Sequence, residues 1–213
     1  SSPKQVGALT NWSSVSCGTN HTVSIKTDGT LWSWGNNING QLGLGNTANK
    51  SSPNQVGALT NWSSVSCGYA HTVSIKTDGT LWSWGRNNFG QLGLNNTTYY
   101  SSPKQVGALT NWLSVSCGYR HTVSIKTDGT LWSWAQNNYG QLGLNNITYY
   151  SSPKQVGALT TWSKITVGVY HSLAIKTDGT LWCWGRNNYG QLGLGNTTNL
   201  SSPTQVGALT TWL

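Results

Sequence analysis

The feature that most constrains this chain is a repeat of 50 residues that runs through all 213 positions. Residues 31–44 read LWSWGNNINGQLGL, and the same run returns with few changes at 81–94, 131–144 and 181–194. Residues 1–50 and 51–100 differ at only ten positions. A fixed spacing of this length is typical of stacked supersecondary units, none of which can bury its apolar face alone. The sequence therefore predicts a single array across residues 1–213.

Each unit reads as about four short strands with no helical stretch. In the second unit, residues 51–56 carry a proline and suit an edge strand, whereas 62–67 alternate large and small residues. Residues 71–76 and 81–84 flank Asp78-Gly79, a strong hairpin signal that we interpret as a tight turn with both central residues at positive φ. The pattern predicts an all-β propeller of four-stranded antiparallel blades.

The boundary segment SSPxQVGALTxW occurs five times, whereas the rest of the unit occurs four times. We interpret residues 1–12 as an extra N-terminal strand segment, followed by blade repeats at 13–62, 63–112, 113–162 and 163–213. An open array would leave strand edges and Trp faces in water. Two chains would supply eight blades with no open edge, and near-identical units can pack on one another. The sequence thus favours a homodimeric ring; a four-bladed closure of one chain is the alternative.

The charge is basic, with twelve Lys and Arg against four Asp and no Glu. The repeat spreads the Lys residues along the chain, as at Lys26, Lys76, Lys126 and Lys176. We therefore expect these side chains to lie on a solvated surface, and the charge gives only weak support for a nucleic-acid-binding site. No apolar run approaches the roughly 20 residues of a membrane helix, so no membrane partner is predicted.

The cysteines occupy two phases of the repeat, with Cys17, Cys67 and Cys117 in one and Cys183 in the other. Equivalent positions lie a full unit apart, whereas a disulfide needs Cα atoms within about 7 Å. We expect free, buried thiols, which favours an intracellular compartment without fixing it.

Catalytic and metal chemistry finds little support. The His residues share one phase, at His21, His71, His121 and His171, and successive blades would hold them too far apart to share one ion. We therefore interpret them as structural residues that hydrogen-bond a neighbouring loop. Asp-Gly turns use all four Asp, so no carboxylate pair is left for hydrolysis. The sequence predicts no enzyme and no cofactor.

One run of residues resembles a known repeat family. The run joins Gly68, His71-Thr72 and Asp78-Gly79 to LWSWG at 81–85 and GQLG at 90–93, and it is similar to the repeat of the regulator of chromosome condensation family. The resemblance covers the whole chain and implies a propeller, usually of seven blades. Members include a nucleotide exchange factor that docks on chromatin, a plant ultraviolet-B photoreceptor and bacterial inhibitors of β-lactamase. The 50-residue units leave no insertion like the exchange factor's wedge, and Tyr119 stands where the photoreceptor carries Trp.

Differences between units collect in three windows, at positions 19–20, 36–39 and 45–50 and their equivalents. The substituted residues are rich in aromatics and arginine, as binding surfaces are. We predict a non-enzymatic scaffold that binds a protein partner through loops on one face. The alternatives are an engineered or excised repeat fragment that only self-assembles, and a chromatin or nucleic-acid docking module. The candidate binding residues are Tyr69, Arg86, Phe89, Tyr99, Tyr100, Tyr119, Arg120, Tyr139, Tyr149, Tyr150, Tyr170, Arg186 and Tyr189.

Overall fold

The computed structural model describes residues 2–8 and 10–212. Its described part is all-β, with sixteen strands in four antiparallel four-stranded sheets, the blades. Blade 1 holds β1 (Trp12–Cys17), β2 (His21–Lys26), β3 (Leu31–Gly35) and β4 (Lys50–Gln55). Blade 2 holds β5 (Trp62–Cys67), β6 (His71–Lys76), β7 (Leu81–Gly85) and β8 (Tyr100–Gln105). Blade 3 holds β9 (Trp112–Cys117), β10 (His121–Lys126), β11 (Leu131–Ala135) and β12 (Tyr150–Gln155). Blade 4 holds β13 (Trp162–Val167), β14 (His171–Lys176), β15 (Leu181–Gly185) and β16 (Leu200–Gln205).

The predicted hairpin forms between β2 and β3, but its turn differs from the expected one. Gly29 lies at φ 76°, whereas Asp28 does not take a positive φ. The Gly29 N–H donates to Lys26 O at 2.9 Å, and Asp28 Oδ1 accepts from the Thr30 N–H and hydroxyl. The Asp side chain binds the backbone two residues ahead, so only Gly needs the left-handed conformation.

The boundary segment forms the outermost strand of each blade. Proline is tolerated there because an edge strand pairs on one side only, so the missing N–H costs no interstrand hydrogen bond. Residues 2–8, the first copy, lie outside the strands. The other copies pair with the third strand of the unit before them, as Gln55 pairs with Trp32. That residues 1–12 supply an extra strand stays a prediction.

The hydrophobic core lies between consecutive blades. We call the side of blade 1 that carries Val23, Ile25 and Leu31 its front face. It packs against the back face of blade 2, which carries Trp62, Val65, Cys67 and Trp84. The same layers repeat between blades 2 and 3 and between blades 3 and 4.

A repeated polar clamp joins the blades. His21 Nε2 lies 3.1 Å from Thr72 Oγ1 of the next blade. The Thr72 hydroxyl donates to Gln41 O at 2.8 Å, and Trp84 Nε1 donates to the same carbonyl at 3.0 Å. The clamp recurs one and two units later, with His–hydroxyl distances of 3.3 and 3.2 Å. A buried polar atom without a partner is costly, so the clamp fixes the packing of one blade on the next.

The four blades form an open arc. Every interblade hydrogen bond among the described residues joins consecutive blades. The back face of blade 1 is uncovered, and Val15 on it is 67% exposed. Cys17 on the same face is exposed, which corrects the expectation of a buried thiol there; no blade covers it. Cys67 and Cys183 are buried, Cys117 is half-buried, and all four are free.

The repeated Lys residues are not on a solvated surface, contrary to the expectation. Lys26, Lys76, Lys126 and Lys176 are only 5–8% exposed. Lys76 Nζ lies 3.8 Å from the ring centroid of Trp82 and 4.9 Å from that of Trp62. The methylene stem is buried while the ammonium contacts two aromatic rings.

No helix among the described residues is long and apolar enough to cross a membrane.

Candidate recognition face

Antiparallel pairing brings the three variable windows to one edge of the blades. Cys17 at the end of β1 pairs with Thr22, and His21 at the start of β2 pairs with Gly35 at the end of β3. Gly35 in turn pairs with Lys50 at the start of β4. The turn after β1 and the long loop after β3 therefore share one edge, and we call this edge of the arc the recognition face. The Asp-Gly turns lie at the opposite edge.

Constant residues hold the long loop in shape. The Asn37 amide donates to Asn46 O and Ala48 O at 2.9 and 3.1 Å, and Asn37 Oδ1 accepts from the Leu42 N–H at 2.9 Å. Gln41 Oε1 accepts from the Asn39 N–H at 2.9 Å. The sequence analysis missed these roles, although both residues stay constant in all four units while their neighbours change. The variable side chains thus project from a hydrogen-bonded frame.

Most of the candidate residues form one connected aromatic–arginine network on this face. Tyr119 is its centre, with ring centroids 4.5 Å from Tyr69 and 5.6 Å from Tyr170. Arg120 Cζ lies 4.8 Å from the Tyr119 centroid and 4.6 Å from that of Phe89. The network continues through Arg86, Tyr139, Tyr149, Arg186 and Tyr189.

Three candidates lie apart from this network. Tyr100 and Tyr150 begin outer strands, and their hydroxyls accept from Asn96 and Asn146 at 3.4 and 3.3 Å. Tyr99 is 42% exposed at the end of its loop. The structure therefore joins the first two windows into one surface and leaves these residues of the third at its outer margin.

The face is cationic. All three Arg residues of the chain lie on it, and the four Asp side chains lie in the turns at the opposite edge. The Thr80 hydroxyl and N–H donate hydrogen bonds to Asp78 Oδ1 and lower the pKa of that carboxyl. The carboxylate is therefore engaged within its own turn. The Nε–H groups of Arg120 and Arg186 have no acceptor among the described residues. The network can thus offer positive charge and aromatic area to a ligand.

Burial keeps His71 and Cys117 in their neutral forms. Burial lowers the pKa of His71 to about 3, with a smaller contribution from His21 and His121, so the ring is neutral in its clamp. Burial raises the pKa of the Cys117 thiol to about 12, which keeps it from forming a thiolate at neutral pH. No group of three His, Cys, Asp or Glu within the described ranges could hold a metal ion.

The fold matches solved propellers over most of the chain. Human WBSCR16 is 24% identical with a TM-score of 0.83, and the match covers 92% of this chain and 53% of that one. Prp20p from Saccharomyces cerevisiae is 23% identical with a TM-score of 0.86, and the match covers 98% of this chain and 54% of that one. Yeast RCC1 (Prp20), solved with Kap60 bound to it, is 22% identical with a TM-score of 0.85 over 97% and 51% of the two chains. The chain spans about half the length of these structures.

No curated protein matches the sequence. The sequence pattern of the RCC1-like domain, however, matches residues 1–212, nearly the whole chain. This match agrees with the GQLG run of every unit, with the Leu-Trp-x-Trp run that precedes it and with the four-stranded blades, and it confirms the resemblance drawn from the sequence. The chain belongs to the RCC1-like domain family.

Proposed function

We propose that the chain is a non-enzymatic scaffold that binds a protein partner through the recognition face. The observation that carries the proposal is the connected network of aromatic rings and Arg side chains on a frame of constant loops. Rigid aromatics bury contact area at low entropic cost, and Arg adds directed hydrogen bonds. The Prp20p structure was described together with binding to Gsp1p and histones, and the related structure is a complex with Kap60, which supports a binding role.

The chemistry of the face favours an acidic segment as the ligand. Arg120 and Arg186 carry Nε–H groups with no acceptor in the described chain, and no Asp side chain lies near them. Carboxylates would satisfy these donors with charge-assisted hydrogen bonds. The partner segment we expect therefore combines Asp or Glu with apolar residues that pack on the exposed rings.

A random-peptide display library is the test. Peptides retained by the wild-type chain should be rich in Asp and Glu, and Arg120→Ala with Arg186→Ala should weaken their binding by roughly 10-fold or more. Lys4→Ala is the matched control, because it also removes a positive charge but lies in an exposed segment outside the strands. Acid-poor peptides, or acidic peptides whose binding survives loss of both Arg residues, would contradict the proposal.

Nucleic-acid docking is the competing function, since phosphates could also meet the Arg side chains. A duplex DNA probe distinguishes the two, because phosphate binding falls steeply with salt. Tight DNA binding with a steep salt slope, lost in the same double Arg variant, would replace the peptide-binding proposal.

A second proposal concerns the assembly in which the face is presented. We infer that two copies close into a homodimeric ring of eight blades. The supporting observation is that each end of the arc leaves one apolar blade face uncovered. The mass in solution tests it: one chain is 22.9 kDa, and a stable species of twice that mass is expected.

A further inference from the structure

The two uncovered faces of the arc correspond to the two sides of the internal interblade packing. The front face of blade 4 exposes Leu173, Ile175 and Leu181, which border a surface hollow of about 280 Å³. The corresponding Val23, Ile25 and Leu31 of blade 1 are 0–3% exposed, because blade 2 covers them. At the other end, the back face of blade 1 exposes Val15 and Cys17. Val65 and Cys67, which correspond to them, pack in the interblade core.

The polar clamp is also divided between the two ends. His171 and the Gln191 carbonyl on blade 4 correspond to His21 and Gln41, which meet Thr72 and Trp84 of the following blade. No blade among the described residues packs on this face of blade 4. On blade 1, Thr22 and Trp34 correspond to those two partners, and no described blade covers them. Each end therefore carries the groups that the other end lacks.

We propose that the front face of blade 4 binds the back face of blade 1 of a second copy, in a head-to-tail joint that repeats the internal interblade packing. In this joint His171 Nε2 meets the Thr22 hydroxyl, and Trp34 Nε1 donates to the Gln191 carbonyl. Leu173, Ile175 and Leu181 cover Val15 and Cys17. The inference rests on the proposed self-association and specifies which surfaces carry it.

The front face of blade 4 departs from the internal front faces at four strand positions, Lys164, Thr166, Leu173 and Cys183, of which Leu173 and Lys164 change the packing most. Leu173 stands where the other units have Val, which adds one methylene to the packed layer. Lys164 stands where the other units have Ser, and it is exposed in the single chain. Burying an unpaired ammonium is unfavourable, so Lys164 must keep its head group at the rim of the joint. Lys164→Ser should therefore tighten the joint.

Trp212 lies in the position that Trp12 of the second copy would take in the joint. Its N–H donates to Gly179 O at 3.2 Å, as the Trp62 N–H donates to Gly29 O at 3.1 Å. Trp62 begins β5 and is 3% exposed, whereas Trp212 is 40% exposed. In the joint, Trp12 of the second copy takes this position, so Trp212 has to move aside. Trp212→Ala should tighten the joint as well.

The experiment combines light scattering with alkylation of Cys17 by a maleimide, located by mass spectrometry, over a dilution series of the 213-residue chain. Association should slow the modification of Cys17 as the concentration rises, because the joint buries that thiol. Val15→Lys should weaken association by roughly 100-fold and keep Cys17 reactive. Val15 is 67% exposed in the single chain, so this variant is expected to fold. Leu113→Lys is the matched control, since Leu113 is 55% exposed on β9 of blade 3, away from both open faces.

The outcomes separate the joint from the two-chain ring. A mass of two chains with protected Cys17, lost in Val15→Lys and kept in Leu113→Lys, supports both. Longer assemblies with protected Cys17 support the joint and overturn the ring, because a head-to-tail contact that does not close makes filaments. A two-chain species with fully reactive Cys17, or one that survives Val15→Lys, overturns the joint while self-association stands. A single-chain mass at every concentration overturns both.

Discussion

Replacing Thr122 by valine tests whether the polar clamp holds the blades together. The Thr122 hydroxyl lies 3.3 Å from His71 Nε2 and donates to the Gln91 carbonyl at 3.1 Å. His71 and Thr122 are fully buried. Valine keeps the shape of the side chain but leaves His71 Nε2 without a partner, whereas the Gln91 carbonyl still accepts from Trp134 Nε1 at 3.0 Å. One orphaned buried group costs about 1–3 kcal/mol of the free energy of unfolding.

Thr22→Val is the matched control for this prediction. Thr22 is the equivalent residue of blade 1, and among the described residues its hydroxyl makes one weak contact, with Cys17 Sγ at 3.9 Å. The free energy of unfolding should therefore change by less than about 0.5 kcal/mol. Both changes are best made in the Val15→Lys background, so that the back face of blade 1 stays free.

Urea unfolding followed by tryptophan fluorescence measures the difference between the two variants. Thermal unfolding should give a lower Tm for Thr122→Val by roughly 2–12 °C, since a chain of this size shifts by about 2–4 °C per kcal/mol. If Thr122→Val and Thr22→Val lower the free energy of unfolding equally, the clamp contributes nothing measurable to the packing of one blade on the next.

Two further predictions follow from buried or strained positions. Burial lowers the pKa of His71 and His121 to about 3 each, below the ordinary value of 6.5, so the unfolded chain binds more protons than the folded one as the pH falls. Stability from these residues should be full above about pH 6.5 and should fall by about 2 kcal/mol for each between pH 7 and 5, which urea titrations at both pH values measure; equal midpoints would refute it. Gly85→Ala should cost about 1–3 kcal/mol in the same assay, because φ is 99° and the new Cβ would lie 2.6 Å from Ala70 O. Gly57→Ala is its control, since φ is 62° there but no atom lies within 4 Å; equal costs for the two variants would argue against the backbone contact.

The blade could be predicted from the sequence because its determinants are local and repeated. Alternating residues, Asp78-Gly79 and the proline of the boundary segment each act within a few positions. The turn type was mistaken because the Asp78 carboxylate binds Thr80 and relieves Asp78 of a positive φ. That choice depends on a side-chain contact that the dipeptide alone does not reveal.

Interblade features were harder to predict, since they join residues about 50 positions apart. The burial of Lys76 depends on its contacts with the rings of Trp62 and Trp82. The spacing of these residues in the sequence does not reveal that the two rings lie on either side of the lysine. The exposure of Cys17 follows from its place on an end blade, although its strand has the same sequence as the strand of the buried Cys67. The windows of variation predicted which loops form the candidate face, and this stays a prediction; the antiparallel register was needed to show that Tyr69 and Arg86 share one edge.

The blade clamp and the recognition face are coupled, because the network crosses blade boundaries. Tyr69 of blade 2 contacts Tyr119 of blade 3, and Arg120 of blade 3 lies on Phe89 of blade 2. Thr122, two residues beyond Arg120, is fully buried and out of reach of a ligand on the face, yet it binds His71 and the Gln91 carbonyl of blade 2. Thr122→Val should therefore weaken binding of the acidic peptides selected by the wild type, whereas Thr22→Val should not. Peptide titrations at a temperature where both variants are folded test this, and equal affinities for the two would mean that the face holds its shape independently of the clamp.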